Sequence, residues 1–341
     1  MEFEQYRILY NGNKIPTLGF GTDYIPKGEI CIQAVTDAIE VGYRHIDNAD
    51  CYDNQESVGL AIRNCIEKGI VKREDLFLVS KVPDWKQGYE ETKACLKKSL
   101  EDMGLDYFDL YLVHSPLRGY ADWCNKILET YKALEECYEE GLIKNIGVAN
   151  FNRGHLMHLR QKVKILPTVN QFELHPEHQN KDVVDVCEKS YIQPVAWGAL
   201  NQGRIFKNQT FINLAKKYDV TPSQIAIRWS YQKGYCPLAR SIKKEHIKAN
   251  FDIQNFEITS EDMKILDNLD GGEWSNTHDD SVCQTIYTST KQLKKDDRKV
   301  YIYKLFSVIP FVKRIEYGTS KTKWFLFGVP ILKITQKKQK Q

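Results

Sequence analysis

Four side chains in the first third of the chain have the types and the spacing for acid–base chemistry. Asp47 ends the short apolar run 43–47, Tyr52 follows five residues later, and Lys81 and His114 stand at the ends of two further β-rich runs, 76–82 and 108–114. A phenol, an ammonium, a carboxylate and an imidazole delivered by consecutive strand ends are the parts needed to hand a proton to a carbonyl oxygen. Taken singly, each has an ordinary explanation: among 19 tyrosines and 48 basic residues an Asp and a Tyr five apart arise by chance, and an Asp–Lys pair is usually structural. Their joint placement carries the reading.

Strands must bring these groups to one place. β-rich runs recur at 43–47, 76–82, 108–114, 143–149, 168–173, 194–199 and 236–241, and Leu18-Gly19-Phe20-Gly21 supplies an eighth. Segments of helical periodicity lie between them, among them 30–40, 90–103, 127–140, 181–189 and 222–232, so strand alternates with helix in parallel βαβ fashion. Thr221-Pro222 reads as an N-cap followed by proline at the first helical position. Ahead of the strands, residues 8–15 place an Asn11-Gly12 turn between apolar runs, which predicts a β-hairpin capping a barrel floor. Alternation alone suits either a closed (β/α)8 barrel or an open doubly wound sheet. Asp47, Lys81, His114, Asn150, Gln171, Trp197 and Arg240 separate the two, because they fall at or just after the carboxyl ends of seven different strands, where an α/β fold of the (β/α)8 TIM-barrel type gathers its active site. A Rossmann dinucleotide site is disfavoured, since Gly19-Phe20-Gly21-Thr22-Asp23-Tyr24 has the first two fingerprint glycines and then fails.

His45-Ile46-Asp47, Ser80-Lys81, Leu112-Val113-His114 and Gly147-Val148-Ala149-Asn150-Phe151 occur in the order and spacing of the aldo-keto reductases, and the chain resembles that family from about residue 8 to about residue 275. These are NAD(P)H-dependent carbonyl reductases built on a (β/α)8 barrel. The resemblance implies that Tyr52 is the general acid, its usual pKa of ~10 lowered by a buried Lys81 that Asp47 holds in place. It implies that His114 hydrogen-bonds the carbonyl oxygen and orients it. NADPH is the implied cofactor, with NADH as the alternative. Asn150 and Gln171 match the residues that bind the nicotinamide carboxamide, and Trp197 falls where an aromatic ring stacks on the nicotinamide. Gly21, Thr22, Asp23, Asp47, Gly198 and Leu200 are carried over as further cofactor-binding positions, and the segment from Arg240 and Ser241 through His246 to Asn250 resembles the adenosine-phosphate site.

The chain departs from the family pattern in places. Ala149 stands where a serine is common and Trp197 where a tyrosine is common; Arg240 replaces a lysine, and His246 the arginine that stacks on adenine and grips the 2′-phosphate. Loss of one hydroxyl contact weakens carboxamide binding by about 0.5–1.5 kcal/mol. A neutral imidazole gives the phosphate less charge than a guanidinium, which narrows the preference for NADPH. The candidate substrate pocket comprises Asp23, Tyr24, Tyr52, Trp85, His114, Ser115, Trp123 with the loop before it, and Trp274. Asp23 stands where many relatives place an aromatic residue; unless it merely caps a loop, a carboxylate there points to a hydroxylated or amino-bearing carbonyl compound.

A chain of 341 residues with 42% hydrophobic content has room for one barrel of ~250 residues plus an appendage. Nine cysteines are odd in number and scattered, with no Cys-x-x-Cys and no Cys/His spacing that suits zinc, so no metal site is expected and they read as reduced thiols of a cytoplasmic protein. No basic segment followed by an apolar run opens the chain, and no stretch of ~18 apolar residues occurs, so secretion and membrane spanning are not expected.

The net charge of +3 conceals two unlike parts: residues 291–341 hold 14 Lys/Arg against 3 Asp/Glu, and residues 1–290 hold 34 against 42. We therefore expect a barrel domain over 1–290 and a small basic aromatic appendage over 291–341. Within the latter, Leu305-Phe306-Ser307-Val308-Ile309-Pro310-Phe311-Val312-Lys313 is echoed by Leu326-Phe327-Gly328-Val329-Pro330-Ile331-Leu332-Lys333. This repeat resembles short carboxy-terminal appendages of bacterial surface-polysaccharide glycosyltransferases, which implies a bacterial protein of polysaccharide biosynthesis. Its prolines forbid a continuous helix and predict two short strands or a hairpin. Aromatics among lysines suit peripheral attachment to the anionic inner face of a membrane, or a partner protein; a flap packed on its own barrel is the alternative. No nucleic-acid motif accompanies the charge. For the whole chain, the competitor to a reductase of small-molecule carbonyls is a non-catalytic nucleotide-binding module that recruits a complex through its tail. The intact set Asp47, Tyr52, Lys81 and His114 speaks against it.

Overall fold

The computed structural model describes residues 3–116, 123–272 and 275, and the backbone of four strands between residues 298 and 335. The chain divides into two compact units. The first opens on an antiparallel hairpin, β1 (Tyr6–Ile8) and β2 (Lys14–Pro16), turned at Asn11-Gly12, where Gly12 takes the left-handed φ of 87° that a glycine tolerates. Eight parallel strands follow: β3 (Gly19–Gly21), β4 (His45–Asp47), β5 (Phe77–Val82), β6 (Leu110–Val113), β7 (Ile146–Ala149), β8 (Val169–Glu173), β9 (Gln193–Trp197) and β10 (Cys236–Ala239). Each pairs with the next and β10 returns to β3, so the barrel is closed. The expected fold class is thus the observed one, with its amino-terminal hairpin.

Helices connect the strands: α1 (Glu29–Val41), α2 (Gln55–Glu67), α3 (Tyr89–Met103), α4 (Trp123–Glu139), α5 (Arg153–Arg160), α6 (Lys181–Lys189), α7 (Gln209–Tyr218), α8 (Pro222–Gln232), α9 (Lys244–Phe251) and α10 (Ser260–Asp267). The start of α8 follows its sequence signal. Thr221 Oγ1 accepts from the Gln224 N–H at 3.2 Å, and the Gln224 side chain accepts from the Thr221 N–H at 2.9 Å, with Pro222 supplying a first helical residue that needs no donor.

The barrel interior explains why the polar residues gather at one end. Leu9 and Ile15 of the hairpin join Phe77, Val79, Leu110, Leu112, Val169, Val195 and Leu238 in one buried cluster, which plugs the floor. Side chains alternate along a strand, so the parity that turns Phe77 and Val79 inward carries Lys81 inward too. Leu110 and Leu112 lead in the same way to His114, and Val169 to Gln171. Two glycines make room for these layers: a Cβ on Gly19 would lie 2.3 Å from Leu238 Cδ2, and one on Gly147 would lie 2.5 Å from Leu112 Cδ2. Apolar layers therefore occupy the lower barrel and titratable groups the upper.

The second unit is a four-stranded antiparallel meander of β11 (Arg298–Leu305), β12 (Ile309–Tyr317), β13 (Lys321–Leu326) and β14 (Val329–Thr335). The sequence led us to expect two short strands or one hairpin, and that count is corrected to four. Each half of the apolar repeat begins on the last residue of one strand, Leu305 of β11 or Leu326 of β13, and runs on into the next, β12 or β14, so neither half is a strand by itself. Pro310 and Pro330 sit second in their strands beside register shifts between Tyr303 and Lys304 and between Trp324 and Phe325. A bulge beside the hairpin end is where a sheet accommodates a residue with no N–H to give. The boundary expected after residue 290 lies outside the described residues.

Candidate active site

β4 ends at Asp47, and a 3-10 turn over Asp50–Tyr52 brings the phenol back over the barrel, closed by Asp53 at a left-handed φ of 55°. Lys81 is completely buried, and its three N–H donors find three acceptors: Asp47 Oδ1 at 2.6 Å, the Asn48 carbonyl at 3.0 Å and the Tyr52 hydroxyl oxygen at 3.0 Å. The second Asp47 oxygen accepts from Gln171 Nε2 at 2.7 Å, so the carboxylate is satisfied on both sides. Because Tyr52 accepts from Lys81, its own O–H is left to point elsewhere. The four catalytic candidates separated by 67 residues of sequence converge on this point: the Tyr52 and His114 rings meet edge to face, their centres 5.8 Å apart.

One electrostatic expectation is corrected. Lys81 was expected to lower the Tyr52 pKa; instead burial of the phenol, followed by the nearby Asp47 and Asp23 carboxylates, pushes it well above 10. The phenol therefore keeps its proton at neutral pH.

His114 takes part through both its main chain and its ring. Its carbonyl accepts from Asn150 Nδ2 at 2.8 Å, and its Nδ1 lies 3.4 Å from the sulfur of Cys51. Sequence reasoning passed over Cys51; a polarisable thiol beside the proposed acid was the available signal. Asn150 ends β7 at a left-handed φ of 59°, which asparagine tolerates better than most residues. Its Oδ1 accepts from Trp197 Nε1 at 2.8 Å, a contact a tyrosine at that position would have to make with a differently placed donor. Asp47, Gln171, Asn150 and Trp197 thus stand in one hydrogen-bonded array with the catalytic candidates.

The other predicted residues fall as follows. Thr22 is buried, and its hydroxyl donates to the Asp47 carbonyl at 2.8 Å, tying the end of β3 to that of β4. A Cβ built on Gly21 would meet nothing within 4 Å, so β3 opens into the barrel mouth. Asp23 is partly buried, which raises its pKa against the opposing charges of Lys81 and Arg240. Tyr24 is 81% exposed, and the Arg240 guanidinium lies 5.8 Å from its ring centre. Gly198 adopts φ 69° and begins the loop through the partly buried Leu200. Ser241 accepts from the Lys243 N–H at 3.1 Å; His246 is exposed on α9 and Asn250 is buried beneath it. Ser115 is buried and donates to the Asp84 carboxylate, whereas Trp85 is 70% exposed. Trp274 and the side chain of Trp123 lie outside the described residues. Two carboxamides at strand ends, an open glycine edge and a cationic outer segment form a donor set that fits a nicotinamide dinucleotide.

Residues 17–271 match the aldo/keto reductase family. The chain is 40% identical over 265 residues to the glyoxal reductase of Bacillus subtilis (strain 168), covering 78% of this chain and 92% of that protein. It is 39% identical over 300 residues to estradiol 17 beta-dehydrogenase 5 of Mus musculus, covering 79% and 93%. The crystal structure of MGS-M4, an aldo-keto reductase enzyme from a Medee basin deep-sea metagenome library, matches with a TM-score of 0.74 at 40% identity, over 80% of this chain and 97% of that one. With the closed barrel and the strand-end array already in place, these matches assign the molecule: the chain belongs to the aldo/keto reductase family and is an NAD(P)H-dependent oxidoreductase of carbonyl compounds.

Proposed function

We propose that the enzyme reduces a sugar-derived aldehyde or ketone, with NADPH as preferred cofactor and Tyr52 as general acid. The observation that carries the proposal is the 3.0 Å contact in which Lys81 donates to the Tyr52 oxygen. That contact leaves the phenolic proton free for a substrate oxygen and places a cation where the phenolate forms. The cofactor, when bound, supplies hydride to the carbonyl carbon. Tyr52 gives its proton to the oxygen; Lys81, neutralised by Asp47, steadies the phenolate left behind; the His114 ring hydrogen-bonds the same oxygen and orients it. Asn150 and Gln171 would hold the nicotinamide carboxamide, with Asn150 set by Trp197, whose ring would supply the aromatic surface for the nicotinamide. Arg240 and Ser241 receive the 2′-phosphate. Asp23, at the barrel mouth, selects a substrate carrying hydroxyl or amino groups. Replacing Tyr52 with Phe tests this: turnover falls by ~10² or more with cofactor affinity within a few-fold of wild type. Unchanged turnover refutes the assignment.

We further infer that residues 291–341 are a separate appendage that attaches the enzyme to an anionic membrane surface, in keeping with a role in surface-polysaccharide assembly. The strand register supports this. Cross-strand pairs put Arg298, Lys313, Lys321, Lys323 and Lys333 on one face of the meander, with no acidic residue among their partners on that face. Basic residues near an anionic bilayer contribute roughly 1 kcal/mol each. No helix among the described residues is long and apolar enough to cross a membrane, so attachment would be peripheral.

A further inference from the structure

Two short 3-10 turns flank the reaction centre, and an ion pair joins them. The first, Asp50–Tyr52, follows β4 and carries the proposed acid; the second, Asp84–Lys86, follows β5, the strand that delivers Lys81. Lys86 Nζ donates to both carboxylate oxygens of Asp50, at 2.9 Å each, so the last residue of one turn grips the first residue of the other. The Asp50 side chain is only 9% exposed, and a carboxylate so nearly shut off from water needs a charged partner. The other end of the second turn is tied to the next strand end. Ser115, directly after His114, donates its hydroxyl to the Asp84 carboxylate, and its carbonyl accepts from the buried Gln87 Nε2 at 2.7 Å. The turn between these grips is itself stiff: Pro83 enters it at a φ of −74°, and the Lys86 N–H closes on the Pro83 carbonyl at 3.0 Å.

We propose that Asp50 and Lys86 are positioning residues whose ion pair holds the Tyr52 turn at a set distance from His114, with the turn Asp84–Lys86 as the bracket between them. The inference rests on the reading of Tyr52 as general acid. Phenol and imidazole must both reach one carbonyl oxygen, so their separation, 5.8 Å between ring centres, has to be kept. Lys81 fixes the Tyr52 oxygen from inside the barrel, but a contact at one atom leaves the turn able to pivot about it. Asp50, two residues earlier on the same turn, gives a second fixed point nearer the solvent. At the turn's far end Asp53 pairs with Lys27 at 2.9 Å, but both side chains are largely exposed, and such a pair restrains little. Loss of the Asp50–Lys86 pair would free the turn without touching Asn150, Gln171 or Trp197, which other strands supply. The defect therefore falls on the chemical step and spares cofactor binding.

Full-length wild type, Lys86→Met, Lys86→Arg and Asp50→Asn are compared in two ways: hydrogen exchange of the peptide covering residues 49–54, read by mass spectrometry without substrate, and single-turnover reduction of 4-nitrobenzaldehyde by the NADPH-loaded protein. Lys86→Met and Asp50→Asn are expected to speed exchange across 49–54 and to slow the single turnover roughly three- to tenfold, a small displacement on the scale where ~1 Å costs ~10²-fold. NADPH affinity should stay within about twofold of wild type, because the cofactor array is untouched. Lys86→Arg keeps the cation and is expected to restore slow exchange and most of the rate. The Lys86 side chain is 40% exposed, so its variants fold even if Asp50→Asn does not. Unchanged exchange across 49–54 in Lys86→Met overturns the proposal. Faster exchange at an undiminished single-turnover rate overturns it too, since the pair is then only structural. Tyr52→Phe run alongside separates the two possible failures: full turnover in that variant refutes the acid itself, whereas an inactive Tyr52→Phe beside a fully active Lys86→Met refutes only the part given to the ion pair.

Discussion

Replacing Lys81 with methionine removes the central cation of the site while keeping most of its volume. The ammonium is wholly buried and the Asp47 side chain is 4% exposed, so the pair is shielded from solvent at 2.6 Å. After the substitution, the Asp47 carboxylate keeps one side-chain donor, Gln171 Nε2 at 2.7 Å, and faces a thioether in place of a charge. Breaking such a buried pair costs about 3–5 kcal/mol, because the remaining charge loses its partner without regaining water. Urea unfolding followed by circular dichroism and tryptophan fluorescence measures this as a lower midpoint at unchanged slope. Asp47→Asn in the Lys81→Met background removes the stranded charge and should restore more than half of the loss, since the two sites are in contact and their effects are not additive. Turnover should stay low in both, because neither supplies a cation to the Tyr52 phenolate. The reasoning is refuted if Lys81→Met lies within about 1 kcal/mol of wild type, or if the double variant is no more stable than the single one.

Burial lowers the buried His45 to about 4, against an unfolded value near 6.5, so the unfolded chain binds more protons between these limits. Stability should therefore rise with pH from about 4 to about 6.5 by up to ~3 kcal/mol and level off above; His45→Leu should flatten that rise, and an unchanged slope would show that other groups cause it. His246→Arg should widen the NADPH over NADH affinity ratio measured by fluorescence titration, since it adds a fixed charge to the exposed start of α9; an unmoved ratio means the segment from Arg240 to Asn250 has been misassigned. Deleting residues 291–341 removes a net +11. Turnover should persist, while sedimentation with anionic vesicles, salt-sensitive in the full chain, should disappear; full-length protein that stays in the supernatant with anionic vesicles rules out membrane attachment.

The alternation of strand-forming with helix-forming runs is a local property, and it made much of this protein legible. Because each run is recognised from its own neighbours, the polar residues Asp47, Lys81, His114 and Gln171 at or just after successive strand ends announced both the barrel and the end of it that holds the chemistry. The hairpin turn at Asn11-Gly12 and the cap at Thr221-Pro222 were legible for the same reason, since their conformations depend on residues next to them. What the chain's order could not reveal depends on residues distant in sequence and close in space. Cys51 meets His114 across 63 residues, and nothing in either local segment records the contact. The Tyr52 acidity went the other way from expectation because it is set first by desolvation from the whole surrounding wall and then by the Asp47 and Asp23 carboxylates, a quantity that exists only after folding. In the C-terminal unit, the prolines correctly excluded a helix, yet the number of strands depended on which segments pair with which, and each half of the repeat turned out to run from one strand into the next.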